Sequence, residues 1–146
     1  MSDRSFSWLS EQIVTECAEA IIFSDQEGII RLWTKSAEVM FGYSSVEAVG
    51  ISLDLIIPEN LRGRHWEGYH RVMQSGESRY RTELLSAPGI RKDGSRISLE
   101  FSMVIVRDEN STVIGTAAII RDVSARWQKE KTLREQIKAL EAGNSK

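Results

Sequence analysis

The chain has 146 residues, a length that suits one domain with a sizeable hydrophobic core. Its 19 basic and 21 acidic residues nearly balance and form no basic block, which argues against nucleic-acid binding. No apolar run approaches the ~20 residues that a membrane-spanning helix needs. The single cysteine, Cys17, excludes an internal disulfide framework and fits a reducing compartment, so we expect a cytoplasmic protein.

The first segment, residues 3–15, has Phe6, Leu9 and Ile13 at helical spacing, with Asp3 placed to cap the start. This pattern predicts a short amphipathic helix outside the main core. Its apolar face can pack within the chain or against a second copy, and the sequence leaves both alternatives open. A β-hairpin is predicted next, because two β-prone runs flank a turn that ends in Gly28.

Short helices are predicted after the hairpin, at residues 36–41 and 44–49, each followed by a glycine. A longer helix follows Pro58 and ends at Ser75, before Gly76. Its apolar stripe is formed by residues at intervals of four, four and three: Leu61, His65, Tyr69 and Val72.

His65 therefore lies in the middle of an apolar helix face, whereas His70 lies roughly 140° away and is expected to face water. A histidine in an apolar stripe is either a core residue with its hydrogen bonds satisfied or a ligand to a cofactor. The spacing alone leaves both possibilities open.

After Gly76 the apolar residues recur at every second position, the spacing typical of β-strands. A strand is predicted around Tyr80 to Leu85, followed by a tight turn at residues 91–94 with an Asp-Gly pair. From Ile97 the apolar residues alternate with polar ones, which predicts a strand with one buried face. Another strand is predicted at residues 112–120, where small residues would keep space for whatever packs on the sheet: Gly115, Ala117 and Ala118.

A terminal helix is predicted from about Ala125. Leu133, Ile137 and Leu140 follow one another at intervals of four and three, which could form a coiled-coil seam. A solvated helix without a partner is the alternative.

Two strands, several short helices and three further strands predict an α+β fold with a five-stranded antiparallel sheet and helices on one face. The chain resembles a PAS domain over residues 18–123, flanked by an N-terminal helix in 1–17 and a C-terminal signalling helix in 124–146. The resemblance is carried by Asp25 to Ile30, Ala37 to Tyr43, Gly50, Ile57-Pro58, Arg91 to Gly94 and Arg121 to Ser124.

The resemblance implies a sensory and dimerising module, not an enzyme. It implies a cupped sheet that can hold a cofactor, and a terminal helix to which Asp122 to Ser124 pass any strain on the sheet. One departure is Thr34-Lys35, where many PAS domains have an asparagine after the second strand. The output partner is not indicated.

The resemblance argues against flavin of the light-sensing type, because those domains have a cysteine in the region that corresponds to residues 50–58, and this chain has none there. Haem b is favoured, because Leu61-Arg62-Gly63-Arg64-His65 resembles the haem-binding helix of bacterial direct oxygen sensors of the PAS family. There a histidine four residues after a leucine ligates the iron. The other haem arrangement, with a Pro-His-Ile-Ile-like segment, is not available because this chain has residues 77–80 as Glu-Ser-Arg-Tyr.

The resemblance therefore implies that His65 is the axial iron ligand and that a diatomic gas or the redox state is sensed. Tyr69 shares its helix face, and Arg62, Arg64, Arg79 and Arg81 are candidates for the propionates, with the last two also able to bond a gas. The roof over the cofactor is expected to come from inward residues of the later strands: Leu84, Leu99, Phe101, Met103, Ile114 and Ile119.

Some features of those relatives are missing. Their methionine and arginine near residues 82–85 are replaced here by Thr-Glu-Leu-Leu. The alternative function is a haem-free PAS module for dimerisation or relay, or a sensor of a small organic ligand. In either case we expect a homodimer formed through the flanking helices, with no membrane or nucleic-acid partner.

Overall fold

A computed structural model describes residues 4–77 and 84–144 of the chain. The helices are α1 (Phe6–Glu16), α2 (Lys35–Phe41), α3 (Ser45–Ala48), α4 (Arg62–Ser75) and α5 (Ser124–Asn144), with 3-10 turns at Leu53–Ile56 and Glu59–Leu61. The strands are β1 (Ala20–Asp25), β2 (Ile30–Trp33), β3 (Leu85–Ile90), β4 (Arg96–Arg107) and β5 (Val113–Asp122). The order of elements is the one that the sequence predicts.

The short helices begin and end where local chemistry dictates. Ser44 and Glu47 form a capping box at the start of α3, in which each side chain accepts a backbone N–H of the other residue. Gly42 and Gly76 take left-handed conformations and close α2 and α4. At α1 the cap is Ser5, whose hydroxyl accepts the Trp8 N–H, and the predicted cap Asp3 lies outside the described residues.

The five strands form one antiparallel sheet in the order β2-β1-β5-β4-β3. The third strand begins at Leu85, later than the Tyr80 to Leu85 segment predicted for it, and residues 78–83 lie outside the described part. Pro88 and Gly89 are what obscure this strand in the sequence. Pro88 is tolerated because β3 is an edge strand.

The sheet has an inner face covered by helices and an outer face. Ile22 pairs with Ala118, and Ala118 with Met103, so these three side chains share one face. That inner face joins the core, whose largest fully buried side chains include Phe41, Ile30 and Ile97. Residues of opposite parity, such as Ile119, therefore lie on the outer face.

Gly115 has a different role from the one expected of it. A Cβ there would lie 2.1 Å from the carbonyl oxygen of Ser24 and 2.7 Å from the ring of Phe23. The absent side chain thus leaves room for the neighbouring strand β1, and not for a group that packs on the sheet.

Helix α5 is attached to the outer side of β4 by its first turn. The Ser98 N–H donates to Ser124 Oγ at 2.9 Å, and Arg126 forms an ion pair with Glu100. Arg91 from the β3–β4 turn bonds Asp122 at 3.2 Å, just before the helix. Neither α1 nor α5 buries any residue, and among the described residues no helix is apolar and long enough to cross a bilayer.

Candidate cofactor site on helix α4

Helix α4 is fixed over the inner face by the hydroxyl group of Tyr69. This side chain is 5% exposed, and its oxygen bonds Ser24 Oγ at 3.0 Å, the Asp25 carbonyl and the Thr116 side chain. Burial raises the pKa of Tyr69, so the phenol stays protonated and can donate. Tyr69 therefore joins α4 to both central strands, β1 and β5.

Trp66 makes the second attachment of α4. Its Nε1–H donates to Asp54 Oδ1 at 2.7 Å, and its ring lies directly over the turn between β1 and β2. A Cβ at Gly28 would be 2.1 Å from this ring, and Gly28 has φ 77°. The turn thus needs a glycine for its backbone conformation and for its contact with Trp66.

His65 lies against the rings of both Trp66 and Tyr69 and is half-buried. Its ring centroid is 4.7 Å from that of Trp66 and 5.8 Å from that of Tyr69. Its Nδ1 is the one buried side-chain nitrogen or oxygen of the described residues that has no hydrogen-bond partner. Burial lowers the pKa of His65, with Asp54 opposing the shift and His70 adding to it. The imidazole is therefore neutral near pH 7, the form that can ligate a metal.

The predicted arginines are not all available to a cofactor. Arg62 donates to the carbonyl groups of Ile57 at 3.1 Å and Asp54 at 3.2 Å, and so clamps the segment before α4. Arg79 and Arg81 lie outside the described residues. The exposed position predicted for His70 is confirmed.

The inner face of β4 carries three of the predicted roof residues. Leu99, Phe101 and Met103 share this face with the core, and Phe101 packs against it. The placement of Ile119 differs from the expectation: it lies on the outer face, because its parity is opposite to that of buried Ile120. Leu84, before β3, is 60% exposed, and Ile114, beside a bulge, is also exposed.

Sequence reasoning missed Trp66, Gly28 and Asp54 as parts of this site. Trp66 follows His65 by one residue and lies about 100° from it around the helix, about 60° outside the edge of the apolar stripe at Tyr69, so a narrow stripe excludes it. The presence of a tryptophan outside the stripe, among mostly polar neighbours, is the signal that could have indicated a second contact of this helix. Among the described residues no cluster of His, Cys, Asp or Glu could hold a metal ion, so His65 would be a lone protein ligand.

Comparison with known proteins identifies the family of this chain. The family model described as the PAS fold matches residues 10–123. The chain belongs to the PAS family. The predicted family and its α+β fold are confirmed, and the chain is a sensory module of a kind that is generally not enzymatic.

The curated relatives of this PAS domain include named sensors. It is 25% identical over 122 residues to the oxygen sensor protein DosP of Escherichia coli, an alignment that covers 84% of this chain and 15% of that protein. It is 30% identical over 127 residues to the sensor protein FixL of Bradyrhizobium diazoefficiens, covering 80% of this chain and 23% of that protein. The chain thus spans less than a quarter of either relative.

Solved structures agree on the fold. The PAS domain of a Colwellia psychrerythraea protein has a TM-score of 0.73 at 20% identity, covering 83% of this chain and 99% of that one. An RNA-binding light-oxygen-voltage receptor has a TM-score of 0.71 at 18% identity, covering 95% and 39%. At such identities the likeness concerns the fold alone.

Proposed function

We propose that this PAS domain binds haem b through His65 and responds to a diatomic gas or to redox state, in the cytoplasm. The observation that carries the proposal is the unpartnered, buried Nδ1 of His65. A buried polar atom without a partner costs roughly 1–3 kcal/mol, so such an atom needs an explanation. Ligation, by fixing the ring through one nitrogen, gives His65 a use that packing alone does not.

The donor chemistry suits haem. His65 is neutral and lies against the aromatic rings of Trp66 and Tyr69, which favours a planar hydrophobic group. Phe101 and Met103 are half-buried on the face that α4 covers and would lie on the cofactor's side of the sheet. A haem iron supplies an open coordination position and a one-electron couple. One relative is named an oxygen sensor, and this supports a gas as the signal.

A haem-free relay module is the second candidate, and a specific observation favours it. Trp66 already packs on Gly28, and Tyr69 is buried with its hydroxyl bonded, so side chains fill much of the space beneath α4. Two shallow surface depressions, beside Gly42 and beside Pro58, include no residue of α4. A flavin of the light-sensing type is not proposed, since the single cysteine, Cys17, lies at the end of α1.

The deciding experiment is a titration of the purified chain with haemin, followed by visible absorption. We expect wild type to develop a strong Soret band that moves on reduction and on addition of carbon monoxide. The variant His65→Ala should lose the band or change its position, whereas His70→Ala should behave as wild type, because His70 is exposed on the same helix. External imidazole should restore the band to His65→Gly.

Either of two results would refute haem ligation by His65. One is the absence of a band in wild type at any haemin concentration. The other is an unchanged band in His65→Ala, which would assign the iron to another residue. The first result would leave the relay function standing, because that function needs no cofactor.

Strand β4 supplies a route from this site to the helix α5. Its side chains alternate, so Leu99 and Phe101 face the core while Glu100 lies on the outer face and pairs with Arg126; the Ser98 backbone N–H donates to Ser124 Oγ. A displacement of β4 by a bound cofactor would therefore pull on Ser124 and Arg126. This extends the predicted role of Asp122 to Ser124 as the connection to the terminal helix.

The output is proposed to be a homodimer formed through α1 and α5. Phe6 and Ile13 are 86% and 67% exposed, and Ile137 and Leu140 are 55% and 69% exposed. Exposed apolar rows on two helices are typical of an interaction face. A second copy would cover them, and the coiled-coil spacing of α5 suits such pairing.

Light scattering tests the dimer. We expect wild type to be dimeric, Ile137→Glu with Leu140→Glu to be monomeric, and Val46→Glu, on an exposed valine of α3, to remain dimeric. Haemin should change the dimer dissociation constant. A wild-type monomer at high concentration would contradict the dimer, and an unchanged constant would contradict the route through β4.

A further inference from the structure

Among the described residues, none makes a hydrogen bond that fixes the orientation of the His65 ring. Metal-bound histidines usually donate their second N–H to a carboxylate or carbonyl group, which sets the tautomer and the ring plane. With Nδ1 on the iron, as proposed, Nε2 would carry that N–H, and no hydrogen bond of the described residues involves either ring nitrogen; the nearest rings are Trp66 at 4.7 Å and Tyr69 at 5.8 Å. The orientation of the imidazole is therefore set by packing.

Of these two rings, Trp66 is the closer to His65. Its plane makes an angle of 74° with the His65 ring, an edge-to-face contact. It is fixed by its hydrogen bond to Asp54 at 2.7 Å and by its seat on Gly28. The Trp66 ring also contacts the Tyr69 ring, with 5.3 Å between the two centroids. An indole restrained in this way can serve as a rigid wall.

We infer that Trp66 is a positioning residue for His65, and that it does by shape what a hydrogen-bond acceptor does in other metal sites. The inference rests on the proposed haem function and deepens it. Asp54 and Gly28 act through Trp66: Asp54 holds the indole nitrogen, and Gly28 leaves the space that the ring occupies. None of the three touches the iron in this scheme.

The first test uses the haem-loaded ferrous chain and the iron–histidine stretching band, measured by resonance Raman spectroscopy. Trp66→Leu should shift or broaden this band and raise the haemin dissociation constant roughly 10- to 100-fold, the range for changes behind a metal ligand. Trp66→Phe and Asp54→Ala should have smaller effects in the same direction. Asp54→Asn, which retains an acceptor oxygen, should resemble wild type.

Trp33→Phe is the matched control. The Trp33 indole also donates a hydrogen bond, to the Tyr43 carbonyl at 2.9 Å, and is 5% exposed, but it packs against Phe41. Its replacement should lower the melting temperature without moving the band. An unchanged band in folded Trp66→Leu would overturn the inference, as would an equal change in Trp33→Phe. If Trp66→Leu does not fold, Asp54→Ala decides.

The second test separates this inference from haem binding itself. In the haem-free protein, NMR signals of the His65 ring protons are assigned by their loss in His65→Gln. Because Trp66 lies edge-to-face with the ring, Trp66→Leu should move these signals, and Trp33→Phe should leave them in place. Wild type that takes up no haemin refutes the proposed function alone, whereas unmoved ring signals refute the positioning role.

Discussion

Replacing Gly28 with alanine is expected to lower the free energy of unfolding by roughly 2–4 kcal/mol and to displace α4. The residue has φ 77°, a conformation that costs a non-glycine residue roughly 1 kcal/mol or more. The added Cβ would also stand 2.1 Å from the Trp66 ring, and overpacking of this kind costs roughly 1–3 kcal/mol. Urea unfolding of the haem-free chain measures the combined loss in the free energy of unfolding.

The two contributions can be separated with variants of the same chain. Gly94→Ala introduces the same kind of strain at φ 86° but meets no atom within 4 Å, so it should cost only about 1 kcal/mol. Combining Gly28→Ala with Trp66→Leu removes the clash, so the double variant should be more stable than the sum of the single effects predicts. Equal losses in Gly28→Ala and Gly94→Ala would show that Trp66 is not seated on the turn.

Most of the fold could be predicted because local signals agree with one another. Glycines at the ends of α2 and α4, the Asp-Gly turn before β4 and the alternation from Ile97 each indicate one structure. The predicted end of this strand at Leu85 was wrong, since β3 continues to Ile90, and the cause is physical. An edge strand tolerates Pro88 and Gly89, which elsewhere indicate a break, so its extent depends on pairing with β4 that the local sequence does not record.

The site was predictable only along its helix. The spacing of His65, Tyr69 and Val72 fixes one face of α4, and exposed His70 follows from the same geometry. What surrounds His65 depends on contacts between distant segments, such as Trp66 with Gly28 and Asp54, 38 and 12 residues away in sequence. The face of the sheet on which Ile119 lies likewise depends on the register of β5 against β1. An error of one residue in that register moves its side chain to the opposite face.

The stability of the haem-free protein should fall as the pH falls below about 6.5. In the unfolded chain His65 has its ordinary pKa of 6.5, and burial in the folded protein lowers that value. Below pH 6.5 the unfolded chain therefore binds a proton that the folded chain does not, which favours unfolding. The slope of the free energy of unfolding against pH steepens below pH 6.5 and cannot exceed about 1.4 kcal/mol per pH unit for one group.

Urea unfolding at pH 5–8 isolates this effect from the carboxylates. Asp25, Glu47 and Asp122 have lowered pKa values, so their contributions to stability are present above about pH 4.5 and are lost only below it. His65→Gln should remove most of the slope, and His70→Gln, on the exposed side of α4, should retain it. A slope that survives in His65→Gln would mean that the imidazole is not buried uncharged, which would also remove the neutral donor that haem ligation needs.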